Sequence, residues 1–228
     1  MKNIIALICA RSGSKGIPKK NLLKFKETTL LGNSIIQAKK NKYIRRVFVS
    51  TDSSKIAKYA KKNGAEVPFI RPAYLAKDNS AEIHTWRHAI KFFQNKLKIK
   101  FDYIVSIPTT SPLRDIKDID KSIKMAILNN CDIVFTISPS KNNPYFNMVH
   151  LKKNKLKIIS DGKKKYFTRQ QAPKCYDLTT VCYVFKPNYI LKNLNLFSGK
   201  VGFVTIPSER AIDIDTKLDY KIACYLSN

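Results

Sequence analysis

The sequence predicts a layered α/β domain with a mainly parallel sheet. Three observations carry that expectation. Short β-rich runs alternate with segments whose apolar residues recur three and four apart. One run, residues 103–107, is apolar but for Ser106, as in strands covered on both faces. And 228 residues with 44% apolar content suffice for one sizeable core, which excludes the disordered class. No window approaches the ~18 consecutive apolar residues of a membrane span. The run at residues 3–10 is too short for a signal-peptide core with its cleavage site, so a cytoplasmic protein with no membrane partner is expected.

Residues 3–10 form the first predicted strand. A basic loop containing Gly13 and Gly16 follows, and Leu30, Leu31, Ile35, Ile36 and Ala38 then mark a helix. Residues 46–50 read as a second strand running into Thr51, Asp52 and Ser53, which cap a helix through Ile56, Ala57, Tyr59 and Ala60 that Gly64 closes. Residues 67–70 read as a third strand. Residues 81–97 read as a long helix with Ile83, Trp86, Ala89, Ile90, Phe93 and Leu97 along one face, which makes Trp86 a core residue. Pro108 bounds the run at 103–107, so residues 109–114 are delivered to the sheet edge at which ligands bind in such folds. A helix over 116–128 and a strand over 133–137 come next. From 139 to 178 the regularity breaks into turns rich in Pro, Asn and Lys, with weak strands around Met148 and at 156–159. This stretch is expected to be an insertion lying against a partner subunit. Strands at 180–185 and 201–206 and a helix at 217–226 complete a single domain over 1–228.

The 43 Lys and Arg against 16 Asp and Glu leave a net charge of +27. That charge raises the possibility of an RNA-binding protein or one held at an acidic membrane surface. Only 8 of the basic residues are Arg, and the 35 Lys are scattered through every segment with no basic helix interleaved with aromatics. No nucleic-acid partner is therefore expected, and the field serves to steer polyanionic substrates. Cys9, Cys131, Cys175, Cys182 and Cys224 are odd in number and lack CxxC spacing, which speaks against a disulfide framework or a zinc site. His84 and His88 are four apart on a helix without an HExxH glutamate and read as a helix face.

The chemistry concentrates in two places. Residues 10–21 read ARSGSKGIPKKN after a strand, so backbone N–H groups and the cations Arg11, Lys15, Lys19 and Lys20 can converge on a phosphate chain. Neither GxxxxGK[ST] nor GxGxxG is matched. Near the C-terminus, Asp213 and Asp215 lie two apart in an extended segment and share one side of it. Close carboxylates repel unless a cation intervenes, which makes Mg²⁺ their natural partner; the other reading is a cap for the last helix. Asp219 reads as a helix-surface residue.

The string ARSGSKGIPKKN resembles the signature of the CMP-sialic acid synthetases, the cytidylyltransferases that activate acidic nine-carbon sugars. Similar blocks recur in that family's order: Ser50 to Ser53, Arg71 to Ala76, Thr110 to Arg114, Arg169 to Gln171 and Ile212 to Thr216. Together they span nearly the whole chain. The resemblance implies a Rossmann-like three-layer α/β/α nucleotidyltransferase domain and a homodimer. It also implies Mg²⁺-dependent attack of a sugar's anomeric hydroxyl on the α-phosphorus of CTP, with release of pyrophosphate. Arg11, Lys15, Lys20 and Asn21 match nucleotide-binding positions, with Arg11 and Lys20 on the phosphates and Asn21 positioning the nucleotide. Arg71 falls where the family reads cytosine, and its fork can donate to O2 and N3. Arg169 reaches toward the sugar's carboxylate from the neighbouring subunit, Tyr183 matches a sugar-pocket aromatic, and Thr109 and Thr179 fall among substrate-contact positions. Four residues depart from the pattern. Pro108 replaces a Gln, Thr179-Thr180 replaces an Asn-Gly pair, and Glu82 stands where a small hydroxyl residue is usual near the base. The sugar acid is thus left open among sialic, legionaminic, pseudaminic and octulosonic acids. Another nucleotide-sugar pyrophosphorylase of the same fold is the competing enzyme.

Overall fold

The computed structural model describes residues 2–160 and 165–227. In chain order, β1 (Ile4–Cys9) is followed by a short ribbon of β2 (Lys24–Phe25) and β3 (Thr28–Thr29), then α1 (Leu30–Lys40), β4 (Ile44–Ser50), α2 (Ser54–Lys62) and α3 (Glu82–Asn95). Next come β5 (Tyr103–Ser106), α4 (Ile116–Leu128), β6 (Ile133–Pro139) and a ribbon of β7 (Val149–Lys152) and β8 (Lys155–Ile158). The chain ends with β9 (Tyr176–Phe185), α5 (Pro187–Lys192), β10 (Val201–Thr205) and α6 (Lys217–Leu226). The central sheet has six strands in the order β10-β6-β9-β5-β1-β4. All pairings are parallel except those of β9, which runs antiparallel to both β5 and β6. The expected three-layer, mainly parallel α/β architecture is present.

Alternation along β1 shows how the layers form. Ile4, Ala6 and Ile8 point to one core with Leu31 and Ile35 of α1, Ala57 and Ala60 of α2, and Ile119 and Ile123 of α4. Ile5 and Leu7 point to the other, with Trp86, Ile90 and Phe93 of α3 and Ile190 of α5. Trp86 packs on Phe185 at 4.6 Å between ring centroids, so its expected core role holds. A third, smaller cluster joins Ile17, Phe25 and Leu30 to Ile214 and Ala223. It ties the first loop to the C-terminal segment, and the site depends on it.

Residues 67–70 are not a strand. The chain makes one bridge to β4, with Glu66 N donating to Val47 O at 2.8 Å and Val49 N to Glu66 O at 2.8 Å. Pro68 then has no N–H with which to continue the ladder, so the segment leaves the sheet. Its next anchor is Arg71 N donating to Thr51 O at 2.7 Å. The ribbon of β7 and β8 lies where two weak strands were expected, and Leu151 and Leu156 on it are about 70% exposed. Among the described residues, no helix is long and apolar enough to cross a membrane.

Candidate active site

The loop after β1 is built by long-range anchors. Lys19 takes a left-handed backbone (φ 55°) and turns the chain into a single 3-10 turn over Lys20–Leu22. Asn21 is buried and uses both ends of its amide: Nδ2 donates to Arg11 O at 2.8 Å, and Oδ1 accepts from Thr109 Oγ1. Asn21 therefore holds the loop in shape while lining the cavity. At Gly16 a Cβ would collide with the Asp215 carbonyl oxygen, so only glycine permits the loop to approach this closely. With Ile17 packed in the Ile214 cluster, Lys20 Nζ reaches Ile214 O at 2.6 Å and Asp215 Oδ1 at 3.0 Å, across 195 positions of sequence.

The C-terminal carboxylates are presented by a segment fixed at three points. Arg210 donates through Nε and Nη2, each at 2.9 Å, to the buried Asp118 of α4. Ile214 N donates to Thr110 O at 2.8 Å. Beyond it, Thr216 and Asp219 form the capping box of α6. This corrects one expectation: Asp219 is a capping residue and not a plain surface residue, and its carboxylate also accepts from the Asp215 amide at 3.2 Å. The pair also divides its attention. Asp213 lines one cavity, with a buried Oδ1 that has no hydrogen-bond partner, whereas exposed Asp215 lines the neighbouring one.

The larger cavity, of about 550 Å³, lies at the C-terminal edge of β1 and is walled by Arg11, Lys15, Lys20, Arg71, Glu82, Thr109 and Asp215. The smaller, of about 360 Å³, is walled by Lys141, Met148, Asp177, Thr179 and Asp213. Thr180 borders both. It does so because the β6–β9 register slips: Phe135 pairs with Tyr183 but Thr136 pairs with Thr179, so residues 180–182 bulge. Thr136 Oγ1 staples the bulge, accepting from Thr179 Oγ1 at 2.7 Å and lying 3.2 Å from Cys182 O. Thr180 and Ser111 share a hydroxyl hydrogen bond that ties the bulge to the 109–114 loop.

Asp78 sits between two of the loop cations, 2.6 Å from Arg11 Nη1 and 3.1 Å from Lys15 Nζ. Hydrogen bonds from Lys15 and Arg11 hold its carboxyl below the usual range. Burial works against the Asp52 carboxylate, but hydrogen bonds from the Ser12 hydroxyl and amide, with Arg71 nearby, outweigh it and lower its pKa. Arg71 is 5% exposed, lies 3.9 Å from Asp52, and has no hydrogen-bond partner at Nε or Nη2. Glu82 meets solvent through the cavity yet is closely surrounded by protein, and the loss of hydration raises its pKa against the opposing Trp86 hydrogen bond and Arg71 charge.

Most residues expected to act together are gathered: Arg11, Lys15, Lys20, Asn21, Arg71 and Thr109 line the larger cavity, and Thr179 lines the smaller. Tyr183 packs between Trp86 and Phe135; burial raises its phenol, with Glu82 and Asp213 adding to the effect. Arg169 lines neither cavity of its own chain: it is exposed and donates to Lys141 O at 2.9 Å. Sequence reasoning missed Asp78 and the Asp118–Arg210 pair. An acidic residue among so many lysines was the available signal for Asp78, but the partners of Asp118 come from 92 residues away. His88 contacts the Phe69 ring at 4.8 Å, and among the described residues no three His, Cys, Asp or Glu gather as a metal cluster.

The three-layer domain sets a polycationic loop with Asp215 at the C-terminal edge of β1, an arrangement suited to nucleotidyl transfer. The chain belongs to the cytidylyltransferase family, whose sequence model matches residues 5–222. It is 38% identical over 226 residues to the CMP-N,N'-diacetyllegionaminic acid synthase of Campylobacter jejuni subsp. jejuni, covering 99% of this chain and 95% of that protein. It is 37% identical to the post-translational flagellin modification protein B of Campylobacter coli, with the same coverage. Among solved structures, a CMP:2-keto-3-deoxy-manno-octonic acid synthetase complexed with CTP superposes with a TM-score of 0.75 over 99% of this chain and 98% of the other. At 11% identity, that likeness shows a shared fold.

Proposed function

We propose that this cytidylyltransferase is a cytoplasmic enzyme that transfers CMP from CTP to the anomeric hydroxyl of an acidic 2-keto-3-deoxy nonulosonic sugar and releases pyrophosphate. The observation that carries the reading is the pair of adjoining cavities. One is lined by phosphate-binding cations and by Arg71 with spare donors, the other by Asp213, and the two meet at Thr180. Relatives that are named for legionaminic acid support a sugar acid of that class.

In this reading Arg11, Lys15 and Lys20 take the triphosphate, displacing Asp78 from the first two. Arg71 donates to O2 and N3 of the base, and Thr109 borders the nucleotide. The sugar enters the smaller cavity beside Thr179, with Tyr183 behind it. Asp213 lines the cavity assigned to the sugar, so its carboxylate stands on the side from which the hydroxyl attacks. Asp213 and Asp215 would hold Mg²⁺: a buried carboxylate oxygen without a partner suits a hard cation, and two protein ligands leave room for phosphate and water oxygens. A Mg²⁺ held there would supply neutralisation of charge on the phosphate of the transferred cytidylyl group. Positioning and charge neutralisation are what such transfer needs from a protein.

The insertion at 139–178 supplies the homodimer interface. Leu151, Leu156, Phe167 and Leu178 on it are exposed, and Arg169, exposed too, lines neither cavity of its own chain. Pyrophosphate release measured across CTP, UTP, ATP and GTP, each with a panel of sugar acids and with or without Mg²⁺, tests the proposal. Turnover is expected with CTP, an acidic keto-sugar and Mg²⁺ together. Equal use of all four nucleotides, or of an aldose 1-phosphate, refutes it.

A further inference from the structure

Asp213 and Asp215 sit on the stretch between a short 3-10 turn, Ser208–Arg210, and α6. Arg210 ends that turn and Asp213 is three positions on, so at most ~10 Å of chain separates them. The Arg210 fork closes on Asp118, with Nε donating to Oδ2 and Nη2 to Oδ1, each at 2.9 Å. The Asp118 side chain is 1% exposed, so water cannot replace this partner, and two parallel charge-assisted bonds fix orientation as well as distance. The same Oδ2 accepts from the Asp115 amide at 3.0 Å within the capping box of α4. A capping box needs no arginine, so the fork is an addition to it. α4 starts just after the loop 109–114, whose Thr109 and Thr110 line the larger cavity, and Ile214 N donates back to Thr110 O at 2.8 Å. The contacts thus close a circuit from Thr110 to Asp118, across to Arg210, along the chain through Asp213 to Ile214, and back to Thr110. Arg210 itself lines neither of the cavities assigned to substrates; it borders a third, of about 360 Å³, with Gln37 and Arg114.

We propose that Arg210 is a positioning residue for the carboxylate pair: through the buried Asp118 it holds the stretch carrying Asp213 in register with the loop 109–114 on the nucleotide side. The proposal rests on the cytidylyl reading above and deepens it. Opening the circuit at Arg210 leaves Ile214 as the first anchor of the stretch, so the chain before it, Asp213 included, gains freedom. Asp215 lies beyond Ile214 and keeps its own contacts, Lys20 at 3.0 Å and the close approach of Gly16. The two carboxylates then lose their fixed relation to each other. A shift of less than an ångström is enough to slow a transfer that depends on alignment. The cations of the phosphate loop are untouched, so the loss falls on kcat and not on nucleotide binding.

Arg210→Met, which approximates the aliphatic stem without the fork, tests it. This variant should lower kcat by about tenfold or more, raise the Mg²⁺ concentration needed for half-maximal turnover, and leave the KM for CTP within about twofold. In the protein without nucleotide or metal, the Ile214 amide should exchange its hydrogen about tenfold faster. Removing Arg210 alone strands the Asp118 charge in the interior. The double variant Asp118→Asn/Arg210→Met removes that charge too, so urea unfolding should place it nearer the unaltered protein while kcat stays low, because the tether is still missing. It reads the same quantities if the single variant does not fold. Arg210→Lys keeps the charge without the fork and should recover part of kcat. A folded single or double variant with kcat within about twofold of the unaltered protein and an unchanged Mg²⁺ requirement overturns the proposal and leaves the cytidylyl reading intact. A kcat that returns together with stability in the double variant shows a role in folding alone and overturns it as well. Failure of the unaltered protein to use CTP overturns that reading and the proposal with it.

Discussion

Ile214 stands between the two carboxylates and faces away from both cavities, fully buried against Ile17, Phe25, Leu30 and Ala223. Ile214→Ala removes three carbon atoms, which at ~0.8 kcal/mol each forfeits ~2.4 kcal/mol of transfer free energy. The cavity left behind brings the loss to ~3 kcal/mol or more, within the range seen for such truncations. A domain of this size survives that loss at 25 °C, so kcat still reports geometry. The same cluster brings Gly16 against the Asp215 carbonyl and Lys20 within 3.0 Å of the Asp215 carboxylate. Loosening it should lower kcat by about tenfold or more while changing CTP binding much less, because misplacing reacting groups costs the transition state. Urea unfolding gives the stability and pyrophosphate release gives kcat. Ile123→Ala is the control: it is equally buried, lies in the main core, and should cost comparable stability with little effect on kcat. An Ile214→Ala protein that is destabilised as calculated but turns over normally would refute the view that this small cluster positions the carboxylates.

Asp213→Asn and Asp215→Asn should each reduce turnover by about two orders of magnitude or more with CTP binding largely kept, as isothermal titration would show; near-normal kcat at low Mg²⁺ counts against a metal role. Arg169 should complement across subunits: mixing an inactive Arg169→Ala protein with an inactive Asp213→Asn protein should restore a fraction of active sites, and a fully active monomer at micromolar concentration excludes the composite site. Asp78→Asn removes the internal anion that holds Arg11 and Lys15, so the KM for CTP should fall, and an unchanged or higher KM shows that Asp78 does not compete with phosphate. Asp132 accepts from the Lys200 amide at 2.9 Å and from Lys186 at 3.1 Å, which lowers its pKa below the ordinary 3.8. That stability is present above pH 3.8 and lost as pH falls through the lower folded value, so Asp132→Asn should be less stable at neutral pH and converge on the unaltered protein in acid.

The parts of the fold legible in the sequence are those fixed by local rules. The helix over 116–128 emerges with its expected limits because apolar spacing coincides with a true capping box, Asp115 with Asp118. The helices from Leu30 and Lys217 likewise start at threonine caps. The 67–70 strand failed because one proline outweighs a β-rich run, and α5 was missed because its 6 residues span too few turns to show a period. At the site, the two chemical segments were legible as residue types at suggestive spacings. Their meeting was not, because it depends on Ile17 finding Ile214 and on a bulge in β9 that no periodicity encodes. The exposed setting of Arg169 and the capping role of Asp219 are equally products of tertiary context.

Two buried arginines differ in how far the protein satisfies their donors. Arg114 is 3% exposed, and its Nη1 and Nη2 are committed to Ser34 and Gln37 on α1 and to the Pro108 carbonyl. Burial brings its pKa down to about 10, yet its donors serve to hold the 109–114 loop against α1, with only Nε unpartnered. Arg71 is buried to nearly the same degree, and its one side-chain hydrogen bond is a 3.4 Å contact from Nη1 to Thr85. Its Nε and Nη2 are buried without hydrogen-bond partners, with Nη2 3.9 Å from the Asp52 carboxylate. Burial and residue type are thus nearly equal, and the two differ in the number of satisfied donors. The same inventory separates Asp118, whose carboxylate is consumed by Arg210 and the Asp115 amide, from Asp213, whose buried Oδ1 has no partner beside the smaller cavity. Buried polar groups are normally satisfied, so the unpartnered Asp213 oxygen beside the smaller cavity is where substitution by Asn should separate a binding role from a packing role.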